Sequence, residues 1–120
     1  MSKKSDLTAL LSAWEETYKR GQLTLWIFLA LRDGNKYVDE IKEFIENKSN
    51  HTISSEAQSL YRNLRKYEHI KVVSYEMRKG NKGPDRKYYY LSELGNKLLQ
   101  QFIDRNIKLF YSQEINNLLK

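Results

Sequence analysis

The sequence predicts an α+β chain that is mostly helical, and three observations predict it. Apolar residues recur at helical spacing through residues 7–18, 38–45, 57–67 and 94–110. A single pair of short β-rich runs, 72–78 and 86–91, flanks a turn that holds Gly80, Gly83 and the one proline, Pro84. Positive charge is concentrated as well: residues 54–91 carry nine Lys or Arg against four Asp or Glu, and so hold +5 of the formal +6.

At 120 residues the chain suits one domain with one modest core. The absence of cysteine removes disulfide frameworks and thiolate zinc sites, and two histidines, His51 and His69, make no metal cluster. No cofactor or metal site is expected. No apolar run approaches the ~20 residues that span a bilayer, so a soluble, cytoplasmic protein without membrane contact is expected. No nucleophile, base and orienting group converge by motif, which argues against an enzyme.

Residues 1–21 read as an amphipathic helix ending near Gly21, with Leu7, Leu10, Leu11, Trp14 and Tyr18 on one stripe. The polar face mixes Glu15, Glu16 and Lys19, so the stripe suits core or dimer contact better than a membrane surface. From 23 to 31 every residue except Thr24 is apolar, as in a central helix buried almost all round. Arg32, Asp33, Gly34 and Asn35 stop it. Val38, Ile41, Phe44 and Ile45 then mark the inner face of a helix ending near 47–50, and Asp39, Glu40, Lys42, Glu43 and Glu46 mark its solvated side. Either Ser54 or Ser55 can cap the next helix.

That next helix sets Ala57, Leu60, Leu64 and Tyr67 on one side, and Ser55, Gln58, Ser59, Arg62, Arg65 and Lys66 on the other. The outer side is polar and cationic. Ser and Gln hydrogen-bond base edges or phosphates, Arg grips guanine or phosphate with two N–H groups, and Lys supplies a point charge. A plain solvated face is the alternative. In the hairpin, alternation puts Lys87, Tyr89 and Leu91 on one face and Arg86, Tyr88 and Tyr90 on the other; the tyrosines suit packing onto the helices better than stacking on bases. Ser92 reads as an N-cap for a long helix with Leu94, Leu98, Leu99, Phe102, Ile103, Ile107, Leu109 and Phe110, which Ile115, Leu118 and Leu119 can extend. Its apolar stripe is too wide for a lone surface helix, so it reads as a dimerisation helix; folding back on the chain's own core is the alternative.

The order is that of a winged helix-turn-helix, with residues 22–91 as the DNA-binding domain, 1–21 supporting a dimer and 92–120 forming it. Arg62, Arg65 and Lys66 on the helix, with Lys79, Lys82, Arg86 and Lys87 around the wing, put charge where phosphates flank a groove. No internal repeat and no low-complexity linker interrupts the chain.

At these residues the sequence resembles the PadR family of bacterial transcriptional regulators. The wing pattern stands as Gly83-Pro84, Arg86-Lys87-Tyr88-Tyr89, Leu91-Ser92 and Gly95, and the recognition-helix pattern as Leu60-Tyr61, Leu64 and Arg65-Lys66. Leu29-Ala30-Leu31 through Gly34 resembles the family too, and the likeness spans about residues 23–100. The resemblance implies a homodimer that represses promoters at an inverted repeat of double-stranded DNA, with Tyr61 touching the DNA backbone and a small, commonly aromatic effector that releases it. It also implies the small subgroup with one C-terminal helix, aided in dimerisation by the N-terminal helix. Three positions depart from the pattern: Val38-Asp39 replaces Gly-Tyr, Arg62 replaces a proline, and Lys71 stands where glycine commonly ends the helix. Trp14, Trp26, Phe102 and Phe110 admit two readings, an effector pocket at a dimer interface or simple core. A winged-helix adaptor that binds another protein is the alternative function.

Overall fold

The computed structural model describes residues 3–120, with side chains from residue 6; residues 1 and 2 of the expected N-terminal helix lie outside them. Its elements in order are α1 (Lys3–Lys19), α2 (Gln22–Asp33), α3 (Val38–Lys48), α4 (Ala57–His69), β1 (Val73–Arg78), β2 (Arg86–Leu91) and α5 (Glu93–Asn106). A 3-10 turn (Lys108–Tyr111) and a short α6 (Gln113–Leu118) follow. Helices thus surround one antiparallel hairpin, as the spacing of apolar residues predicts.

The core gathers one stripe from each inner element: Ile27, Phe28 and Leu31 of α2, Val38, Ile41 and Ile45 of α3, and Leu60, Leu64 and Tyr67 of α4. Val73, Tyr89 and Leu91 close it from the hairpin, and Leu99 closes it from α5. Helix α2 is therefore not buried all round. Leu23, Leu25 and Trp26 are only half-buried: Leu25 and Trp26 border a cleft, and Leu23 borders a shallow hollow beside Lys42, Glu46 and Ser55.

Turn chemistry fixes how α3, α4 and the hairpin follow one another. Past α3, Asn50 takes φ 54°, and the His51 N–H reaches back to the Glu46 carbonyl at 2.8 Å. Past α4, Lys71 takes φ 68°, while Lys71 N–H bonds the Glu68 carbonyl and Val72 N–H the Tyr67 carbonyl. These are paired bonds of the Schellman type, which satisfy the last carbonyls of a helix. Lys71 thus accepts the left-handed conformation that glycine would adopt more cheaply. Neither Ser54 nor Ser55 caps α4: the N-cap position is Glu56, with no side-chain bond to the helix. Ala57, expected inside, is exposed.

In the hairpin Tyr75 pairs with Tyr89 and Val73 with Leu91; Val73, Tyr89 and Leu91 turn inward at the base of this face, and Tyr75 stays exposed. Lys36 adds a single-residue bridge to its edge, exchanging two backbone bonds with Tyr89 at 2.8 and 3.1 Å. The Lys36 ammonium meanwhile bonds the Ala30 carbonyl and the Asp33 carboxylate, both at 2.8 Å. That bond holds the Asp33 carboxyl below its ordinary range. Helix α5 begins at Ser92, whose hydroxyl accepts from Gly95 N–H at 3.0 Å and donates to the Lys71 carbonyl at 2.7 Å. A Cβ at Gly95 would stand 2.0 Å from the Val72 carbonyl oxygen, so glycine here permits α5 to press on the base of the hairpin.

Two expectations for the C-terminus are corrected. The long helix breaks after Asn106, because Ser112 caps a new helix by accepting from Ile115 N–H, and the chain between tightens to a 3-10 turn. Leu99, expected at a dimer contact, is 1% exposed and belongs to the chain's own core, and Ile103 packs against that core. Leu94, Leu98, Phe102, Leu109 and Phe110 remain exposed.

Candidate nucleic-acid interface

Helix α4 is the most sharply two-sided element. Leu60 and Leu64 are fully buried, while Gln58, Tyr61, Arg62, Arg65 and Lys66 are exposed. Gln58, Tyr61, Arg62 and Arg65 frame a shallow hollow on its outer surface. Ser59 is half-buried, and Ser55 precedes the helix with its hydroxyl turned inside and without a hydrogen-bond partner. Ser55 is therefore not presented alongside the arginines. Its predicted place assumed that the helix began two residues earlier.

The wing lies beside this face. Tyr61 of α4 shares a second hollow with Pro84, Asp85, Arg86 and Lys87 of the wing and with Tyr37 at the start of α3. Lys79, Lys82, Arg86 and Lys87 are all exposed. Arg86 is held over the Tyr37 ring, 4.4 Å from its centre, and Lys87 over Tyr75 at 4.2 Å. Such contacts orient a cation while leaving its charge unneutralised. Among the described residues, none of Arg62, Arg65, Lys66, Lys79, Lys82, Arg86 or Lys87 forms an ion pair with a carboxylate.

Two contributors escaped the sequence reading. Arg78 is paired across the strands with Arg86, which sets two guanidinium groups on one face of the wing base. Like charges so placed repel and favour an anion between or before them. Arg78 is steadied by Glu76 at 2.8 Å and by the Tyr88 ring at 4.3 Å. Tyr37 is the other, since it supports both Arg86 and, edge-on at 5.4 Å, the ring of Tyr88. Strand alternation alone could have put Arg78 beside Arg86; nothing local marks Tyr37.

Inside the wing, Tyr89 is 2% exposed and anchors the hairpin, which fits packing and not base stacking. Burial, then the Glu68 carboxylate and the neighbouring tyrosines, push its hydroxyl up to about 12, with Arg65 pulling weakly the other way. It stays neutral through the physiological range.

A second concavity lies away from these cations. A cleft of ≈ 580 Å³ opens between the start of α2 and the α5 side of the chain, lined by Tyr18, Trp26, Phe28, Leu98, Phe102 and Phe110 among others. Three of the four aromatic residues expected around an effector therefore meet here. Trp14 does not: it is 74% exposed on α1.

Residues 27–101 match the family described as the transcriptional regulator PadR-like family. The chain belongs to that family. Its fold is shared with a PadR family transcriptional regulator from Eggerthella lenta, at 22% identity over 97% of each chain and a TM-score of 0.71. A PadR-like regulator from Bacillus cereus aligns at 22% identity, over 87% of this chain and 97% of that one, with a TM-score of 0.67. PadR from Bacillus subtilis, solved in complex with operator DNA, aligns over 68% of this chain and 46% of that one at 18% identity and a TM-score of 0.62. Among curated protein sequences none matches. No helix among the described residues of this PadR-like chain is long and apolar enough to cross a membrane.

Proposed function

We propose that this PadR-like chain is a cytoplasmic, sequence-specific DNA-binding repressor that acts as a homodimer on an inverted repeat. One observation carries the reading. The exposed cations of α4 and the wing stand together, and among the described residues none of Arg62, Arg65, Lys66, Lys79, Lys82, Arg86 or Lys87 is paired with a carboxylate; Arg78, opposite Arg86, is paired with Glu76 alone, and the arrangement suits a row of phosphates. In this reading α4 enters the major groove with Gln58, Arg62 and Arg65 toward base edges. Tyr61, Lys66, Lys79, Lys82, Arg86 and Lys87 contact the backbone.

A second copy of the chain would cover the apolar residues of α1 together with Leu94, Leu98 and Phe102 of α5, all exposed in the single chain. A small aromatic effector would occupy the cleft and lower DNA affinity. The aromatic lining of Trp26, Phe102 and Phe110 supports this part.

Selecting bound duplexes from a random library and measuring affinity against salt tests the reading. Recovery of a palindromic consensus, bound with a steep fall in affinity as salt rises, is the expected result. Recovery of no consensus, together with stable co-purification of another protein, would favour the adaptor function instead.

A further inference from the structure

The cleft and the DNA-facing elements share no lining residue, for nothing from α4 or the wing lines the cleft. One side chain lies behind both. Tyr67 sits on the inner face of α4, 5% exposed, and its hydroxyl hydrogen-bonds the side chain of Thr24. Its ring meets Phe28 edge-on, with centres 5.0 Å apart and planes at 65°. Thr24 and Phe28 are both wall residues of the cleft. At its backbone, Tyr67 accepts the Val72 N–H at 3.0 Å, the bond that launches the hairpin.

Tyr67 is thus fastened at one end to the cleft wall and at the other to the junction of α4 with the wing. We propose that Tyr67 is a positioning residue through which the state of the cleft sets the placement of α4 and the base of the wing. The proposal rests on the reading of the cleft as a ligand site. Either hydroxyl can donate in this bond, and an occupant that turns the Thr24 side chain releases Tyr67 whichever of them does. An occupant that shifts the Phe28 ring alters the second contact, because a close-packed interior has no void into which the strain can relax. The other buried residues of α4, Leu60 and Leu64, have no polar side-chain atom with which to make such a bond to the cleft wall. Regulation would therefore pass through this one residue and not through a general loosening of the core.

Two conservative variants separate this role from a merely structural one. Tyr67→Phe and Thr24→Val each remove the hydroxyl bond and keep the packing. Each should shift affinity for a selected duplex about three- to tenfold in the same direction, and should speed amide exchange across residues 57–69. Because they remove one and the same bond, the double variant should do no more than either alone. Additive effects, or affinities within about twofold of the parent with unchanged exchange, would overturn the proposal. Circular dichroism confirms that each variant is folded.

The dye 8-anilinonaphthalene-1-sulfonate then probes the cleft itself, with Trp26→Ala as the control that abolishes its binding. Bound dye should change exchange across 57–69 in the parent and not in Tyr67→Phe. Dye that binds and leaves α4 exchange unaltered in the parent overturns the coupling. Failure of the dye to bind counts against the ligand reading alone, and the variant pair still decides the coupling. Should no duplex be recovered, the exchange measurements decide it without DNA.

Discussion

The two ends of the molecule solve opposite problems. Helix α4 buries Leu60 and Leu64 completely and, Ala57 and Tyr61 apart, turns polar and cationic groups outward, so it is finished as a helix of a folded domain and unfinished mainly electrostatically. Helix α1 exposes Leu7, Leu10, Leu11, Trp14 and Tyr18, so it is solvated on its polar side and unfinished hydrophobically. The first surface gains from an anion that it can meet as a rigid body. The second gains from a matching apolar surface, and nothing within its own chain supplies one among the described residues. Function and assembly are thus assigned to different physical forces, which makes them separable by experiment.

The largest expected effect breaks the apolar side. Replacing Leu10 and Trp14 together by Asp should convert the proposed dimer to a monomer by sedimentation, since two buried charges without partners are incompatible with an apolar interface. DNA affinity should drop by about 100-fold or more as the two half-sites lose their linkage. A dimer that survives both charges would show that α1 does not form the contact.

Next in size is the alkaline limit of the winged domain. The folded chain holds the Tyr89 proton up to about 12, above its ordinary value of 10.0. Stability from this group is complete below about pH 10, where both folded and unfolded chains are protonated, and is lost as pH rises toward 12. The total is roughly 3 kcal/mol. Urea titrations between pH 9 and 12 on the parent and on Tyr89→Phe should show that slope in the parent alone, to about one decimal unit of pH.

A smaller effect sharpens the electrostatic side. Arg62→Ala should cost about 1–3 kcal/mol at particular operator positions and relax specificity there, while Lys82→Ala should weaken all sequences alike and reduce the salt slope by about one. Equal losses on every sequence from both variants would dissolve the division between base-reading and phosphate-holding residues. Least of all, Glu76→Gln should change stability by under about 0.5 kcal/mol, because the Arg78–Glu76 pair is half-exposed. It should raise DNA affinity slightly by freeing the guanidinium, and a fall would show that Glu76 serves to aim Arg78.

Legibility in the sequence followed the range of the force involved. The antiparallel pairing of the two β-rich runs and the inward Leu60, Leu64 and Tyr67 of α4 are local, set by alternation and by helical period, and the fold bears them out, Ala57 excepted; at Lys71, where the missing glycine leaves either a strained residue or a shifted turn, the chain takes the strained residue. The position of Ser55 failed because helix starts depend on which cap wins, and here none of the side chains does. The single long C-terminal helix failed for the complementary reason, since Ser112 caps a new helix inside an apolar pattern that runs on without a break. Leu99 could not be told from Leu98 by type. Only the approach of α5 to α2 and the hairpin, permitted at Gly95, decides which of the two is covered.

By itself the sequence determined the class of the chain, the order of its elements and the side of α4 that carries charge, because periodicity and charge are properties of neighbours along the chain. The tertiary structure alone decided that Tyr37 supports Arg86, that Lys36 fastens the hairpin edge to the end of α2, and that Tyr67 of α4 bonds Thr24 in the cleft wall. Each of these joins residues far apart in sequence, and such contacts are specified by packing geometry, which no local pattern encodes.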